Sequence, residues 1–309
     1  MLKWFVKFFV PVTVRKLLSA KVIYSKYYSK MVDDIEKNKE LSMKDELHDD
    51  EYWATQLRKY AHIIDKGLQR CDSEAGHSKE FYNLALDALS KITSSLILND
   101  PSVLWAKEKL KQYEELQMQP SCHPVQIPNG VQRDACPIII NAIKERRSIR
   151  IYSKTLIPDE LVHRIAEGAS WAPSSCNRQA TKIFATIDPN SAKKCMATCS
   201  GATGFSDFIP CFITFGVDMR SYILPQEHYL PVIDAALGAQ NCCLIAHSFG
   251  LSLTFLNWTH QTRDDDLNLR SILNIPAHYQ IVLNGTIGYP KVLSEVPARK
   301  DISQVLSLK

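Results

Sequence analysis

A proline-rich stretch, residues 119–137, constrains most strongly what this chain can fold into. It holds Pro120, Pro124, Pro128, Gly130 and Pro137. Proline fixes φ and lacks an amide donor, so neither a helix nor a central strand runs through such a segment. Upstream, apolar residues recur at helical spacing in Trp53, Leu57, Tyr60, Ile64 and Leu68, and a second helix is expected over 78–98. Asn99-Asp100-Pro101 ends it and opens another that runs to about Gln117, with Asp100 as a plausible N-cap. Downstream, short apolar runs predict strands at 182–187, 211–217, 251–256 and 280–287, interleaved with helices. Four parts are expected: a basic amphipathic segment 1–32, a helical accessory region 33–118, a linker 119–136 and a main domain 137–309.

Charge is distributed unevenly. The first 30 residues carry seven basic residues and no acidic one, so the remaining 279 carry a net −3 within a chain of +4. The body is therefore not a nucleic-acid-binding surface. The first 18 residues mix aromatics with Lys7, Pro11 and Arg15, too short and interrupted to span a bilayer. They suit either an interfacial helix on an anionic membrane or an amphipathic helix packed on the protein itself. Nine cysteines show no Cys-x-x-Cys or Cys/His ligand spacing. Buried small side chains in a reducing cytoplasm are expected, with no metal.

Two clusters carry chemistry. Arg146-Arg147-Ser148-Ile149-Arg150 follows an apolar, helix-like run and offers three guanidinium groups and a hydroxyl. Guanidinium forks bind phosphate through paired, charge-assisted hydrogen bonds. A solvated basic run complementing a helix C-terminus is the other reading. Pro173-Ser174-Ser175-Cys176-Asn177-Arg178-Gln179 is a turn rich in hydroxyl and amide groups, able to bind a flat heterocycle edge-on or to be simply a turn. Upstream, His62 and Lys66 share a helix face and could reach a cleft or stay solvated. No Gly-x-Ser-x-Gly elbow, Walker loop or His-Glu-x-x-His occurs, and no side-chain nucleophile is expected.

From about Pro137 onward the chain resembles the FMN-dependent nitroreductase family. The resemblance rests on five pieces in order: Arg146-x-Ser148-x-Arg150, the turn Ala172 to Gln179, the run Phe208 to Phe215, a long apolar helix from Asp234 to Gly250, and Gly288-Tyr289-Pro290 with Arg299-Lys300 after it. It departs from the family at Ala180-Thr181, where a proline and an aromatic are usual, and between Gly201 and Asp207, where a ring-contacting Lys or Asn is often found. The resemblance implies an α+β fold, a central mainly antiparallel sheet flanked by helices, preceded here by an all-helical extension. It implies FMN, with NAD(P)H as electron donor, a small-molecule acceptor and a homodimer with FMN at the subunit interface. Arg146 and Ser148 would grip the phosphate together with Arg299, Arg147 would join them or equally point to solvent, and Arg150 would lie near the ribityl chain and pyrimidine. Pro173, Ser174, Ser175, Asn177 and Gln179 would meet the flavin of the other subunit, and a backbone N–H at Asn257 or Trp258 would hold N5. A cytoplasmic oxidoreductase is implied, with possible peripheral membrane contact and no nucleic acid. Other flavin chemistry (dehydrogenation, reductive dehalogenation, flavin breakdown) or a non-catalytic, membrane-associated flavin-binding scaffold linked to surface polysaccharide synthesis are the alternatives.

Overall fold

The computed structural model describes residues 36, 40, 48–68, 76, 78–118, 136–222, 224–258, 261–294 and 296–309. The basic segment 1–32 lies outside them, as does the linker except for its last residue, which opens a helix. Among the described residues, no helix is long and apolar enough to cross a membrane.

The upstream unit consists of α1 (Asp50–Leu68), α2 (Lys79–Ser90), α3 (Ser95–Leu98) and α4 (Pro101–Met118). The single helix expected over 78–98 is broken. The Asp50 carboxylate accepts from the amides of Thr93 and Ser94 at 2.9 and 2.7 Å, drawing that backbone out of the helix. Hydroxyl side chains favour this, because they compete for local backbone groups. Asp100 accepts from the Ser102 amide at 2.8 Å and caps α4. Leu57, Ala61 and Ile64 of α1 pack with Ala85 and Ala88 of α2 and Val103, Ala106 and Leu110 of α4. Alanines at these positions let the helices approach closely.

The downstream unit runs α5 (Cys136–Glu145), α6 (Asp159–Ser170), β1 (Thr181–Thr186), α7 (Pro189–Ala197), β2 (Cys211–Asp218), α8 (Leu230–Ser248), β3 (Ser252–Leu256), α9 (Arg263–Leu273) and β4 (Tyr279–Gly288). The four strands form one sheet in the order β1-β2-β4-β3, antiparallel throughout, and the fold is α+β as expected. Alternation along β2 sends Cys211, Ile213, Phe215 and Val217 to one face, where Ala235, Ala239 and Cys242 of α8 meet them. Phe212 joins Cys195 of α7 and Leu269 of α9 on the other face. A strand covered on both faces reads as a continuous apolar run, which is why β2 was legible. The cysteines behave as small hydrophobes: burial pushes the thiols of Cys195, Cys199, Cys211 and Cys242 up to about 12.

The helical unit is docked on the sheet. Arg220, 1% exposed at the end of β2, donates from Nη2 to Asp218 at 2.6 Å and to Asp49 at 3.1 Å. Lys182 of β1 pairs with Glu51 of α1 at 3.1 Å. Arg58 of α1 reaches the turn before β1.

Candidate functional site

The Arg146–Arg150 segment leaves the end of α5 and is pinned along β3. The Ile149 amide donates to Ser252 Oγ at 3.2 Å, while Ser252 and Thr254 hydroxyls donate to the carbonyls of Arg147 and Ile149 at 2.8 and 2.7 Å. Farther on, the Ser153 amide donates to Tyr289 and the Lys291 amide to Ile151, both at 2.9 Å. The Tyr152 ring lies flat over Gly288, where an added Cβ would stand 2.4 Å from it. Glycine is thus required there by contact. Burial pushes the Tyr152 hydroxyl up to about 12, so it stays protonated beside its partner Thr286.

This framework fixes where the cations stand. Arg146 and Ser148 are half-buried and Arg150 is exposed, its guanidinium 5.9 Å from the Phe205 ring centroid. The Arg146 side chain lies against the Cys243 thiol of α8. Arg147, whose role between phosphate and solvent the sequence left open, turns back on its own helix. Its Nη1 donates to the carbonyls of Lys144 and Arg146, so it caps its own helix, where orphan carbonyls concentrate negative charge.

The turn at 173–179 lies at the start of α8, against Asp234. The Ser175 amide and hydroxyl both donate to the Asp234 carboxylate at 2.9 Å, so Ser175 is anchored to the protein itself. Tyr222 donates to the same carboxylate at 2.7 Å; burial, then the Asp234 charge, raise that phenol far above its usual range. Arg178, 1% exposed, points inward to Glu227 and lies 4.9 Å from the Tyr222 ring centroid. Ser174 Oγ accepts the Gln179 amide, and Gln179 Nε2 donates to Asn177 Oδ1, both at 3.1 Å. Pro173, Ser174 and Gln179 line a cavity of about 330 Å³ with Ala169, Thr181 and Asp234.

The two clusters do not meet within one chain. Arg146 stands by Cys243 and Ser175 by Asp234, nine residues apart on α8, or about 13 Å along a helix axis. Arg299 is exposed and donates to the carbonyls of Pro297 and Ala298, away from the expected shared phosphate contact with Arg146. The Asn257 amide donates to the Ser200 carbonyl at 3.1 Å, so this one of the two amides expected at N5 is engaged within the protein. Asn257 and Trp258 line an open cavity of about 750 Å³ with Gln261, Tyr279 and Gln280. His62 is half-buried; burial and then Lys66 hold its imidazole below the usual range. Among the described residues, no group of three His, Cys, Asp or Glu could hold a metal.

Sequence reading passed over Asp234, Tyr222, Glu227 and the inward course of Arg178. One signal was available: Asp234 is the sole acidic residue in α8, a largely apolar helix.

The sequence profile of the Nitroreductase family matches residues 143–200, which include both clusters. A protein of Archaeoglobus fulgidus with the provisional name NADH dehydrogenase/NAD(P)H nitroreductase is 28% identical over 155 residues, 49% of this chain and 85% of that one. The FMN reductase (NADPH) of Bacillus subtilis is 26% identical over 170 residues, 50% of this chain and 67% of its own length. A solved FMN-dependent nitroreductase of Clostridium difficile, 23% identical, covers 52% of this chain and 91% of its own, with a TM-score of 0.44. With the profile lying across both clusters and these relatives covering about half of this chain, its C-terminal part is similar to the nitroreductase family.

Proposed function

We propose that this chain is an FMN-dependent oxidoreductase that takes hydride from NAD(P)H and gives it to a small oxidised acceptor in a second, separate step. The observation that carries this is the pinned segment that presents Arg146, Ser148 and Arg150 together at the end of α5, inside the family match. The donor set fits a phosphorylated, flat cofactor: cations and a hydroxyl on one side, and a half-buried turn of hydroxyls and amides on the other. FMN, when bound, supplies the hydride-carrying ring.

The protein supplies binding and charge. Arg146 and Ser148 hold the phosphate, with Arg299 as a second cation once the C-terminal segment is seated. Arg150 stays protonated at any working pH, so it offers a fixed positive charge near the pyrimidine that does not titrate. Ser174, Asn177 and Gln179 orient the ring from the partner copy, while Ser175 fixes the turn through Asp234. A backbone amide at Trp258 is the candidate donor for the ring edge.

A homodimer follows from the same reading, since the two clusters sit at separate places on α8. Unpartnered apolar surface supports it: Ile139, Ile140 and Ile143 of α5, and Ile233 and Leu237 of α8, are exposed. We place the activity in the cytoplasm, where thiols stay reduced and NAD(P)H is at hand.

Absorbance of the purified protein tests this directly. A yellow protein whose flavin bands bleach when NADH or NADPH is added anaerobically, and recover with a quinone or nitroaromatic, is the expected result. A colourless protein that refuses added FMN would overturn it.

A further inference from the structure

On the flavin reading above, we propose that the helical unit is part of the cofactor site: α1, through Arg58, braces the turn that presents Ser174, Asn177 and Gln179. Three residues of that turn, Cys176, Asn177 and Gln179, have φ of 53°, 52° and 53°. Side chains with a Cβ rarely adopt this left-handed region, and they persist there only where the surroundings over-determine the backbone.

Two sets of contacts supply that constraint. Asp234 of α8 holds Ser175 through both its amide and its hydroxyl. From α1, Arg58 Nε donates to the Arg178 carbonyl at 3.1 Å, the oxygen of the residue that lies between left-handed Asn177 and Gln179. Arg58 is only 8% exposed, and its other donors go to Thr55 Oγ1 at 2.8 Å and Ser102 Oγ at 3.3 Å. All three acceptors are neutral oxygens. The nearest counter-charge is Asp100, which accepts from Ser102 and so reaches the guanidinium through that hydroxyl. Burying a guanidinium this way is unfavourable unless its N–H groups are met, so it is held in one pose. The Arg178 side chain meanwhile faces Glu227 and Tyr222, and Tyr222 returns to Asp234. The turn is thereby clamped between α8 and a helix that lies wholly outside the family match. Arg58 is a positioning residue: it acts on the flavin only through the Arg178 peptide.

Three variants of the full chain separate this role from plain stability. Arg58→Met removes the fork at similar length, Arg58→Lys keeps one donor, and Leu110→Ala weakens the helical unit in its own core. Measured on each are the melting temperature, deuterium exchange at the 175–179 amides in flavin-free protein, and FMN affinity by flavin fluorescence. Arg58→Met should exchange faster at the turn and bind FMN about tenfold or more weakly, the size of one lost charge-assisted hydrogen bond. Arg58→Lys should recover part of both, and it also serves if Arg58→Met fails to fold. Leu110→Ala should melt earlier yet bind FMN like the wild type. Unchanged turn exchange in the Arg58 variants, or FMN affinity that tracks melting temperature alone across the three, would overturn the brace. A wild-type protein that takes no FMN would remove the flavin reading, and turn exchange alone would then decide whether Arg58 braces the backbone.

Discussion

Two sets of arginines in this molecule do opposite things. Arg58, Arg178 and Arg220 are 8%, 1% and 1% exposed, and their guanidinium groups are engaged by oxygens of the protein. Arg146 and Arg150 stand at the surface or half-buried, on a backbone locked in place while their charged ends face outward or lie against a thiol. A buried cation left without partners is costly, so the first set is met from within. The second set has a fixed base and open donors, which suits an anion that arrives from outside. A guanidinium thus serves architecture or recognition according to where its donors end up, and the residue type alone does not say which.

That contrast can be broken most sharply at Asp218. Asp218→Ala would take from buried Arg220 its shorter ion pair and leave the half-exposed Asp49. It should lose about 3–5 kcal/mol of stability in urea unfolding, while FMN affinity of the folded fraction stays unchanged. A shift in affinity without a loss of stability would place Arg220 in the wrong set. The reverse is expected of Arg146→Ala combined with Arg299→Ala. FMN should bind about 10–100-fold more weakly, since charge-assisted hydrogen bonds to phosphate are lost, with little change in melting temperature. Wild-type retention in that double variant would show that the phosphate lies elsewhere.

A smaller effect sharpens the interface between the two units. Burial alone would raise the Asp49 carboxyl, but the Tyr52 amide and the Arg220 guanidinium outweigh it and hold it below the usual range. A carboxyl depressed by folding adds stability above its unfolded pKa, and that stability is lost as pH falls through the folded value. Asp49→Asn should therefore be less stable than wild type at neutral pH, and the gap should close below about pH 4. A gap that widens in acid would contradict the geometry. Smallest of all, Asp87→Ala removes an exposed pair with Lys91, 2.7 Å long, and should change stability by less than about 0.5 kcal/mol in the same unfolding measurement.

The four strands lay within a residue or two of where short apolar runs placed them, most plainly β2, whose burial on both faces leaves a dense apolar trace. The helix over 78–98 was misread because its interruption comes from Asp50, some forty residues away, and periodicity carries no trace of a distant carboxylate. At the site, Arg146, Ser148 and Arg150 were legible as a cluster, whereas the turning back of Arg147 onto α5 was not. A helix end and a phosphate attract the same guanidinium. Asp234 and Arg178 went unassigned because each acts through a partner remote in sequence.

By itself, the sequence located the strands and the two polar clusters, and its resemblance to a known family implied the α+β class. Strand and cluster positions depend on local propensity and residue chemistry, which are written in neighbouring residues. Tertiary structure alone decided which arginines are architectural, that the clusters stand apart on α8, and that α1 reaches across to hold the turn. Those outcomes depend on which oxygens surround a side chain once the chain has closed, and such long-range pairings are settled by packing rather than by spacing.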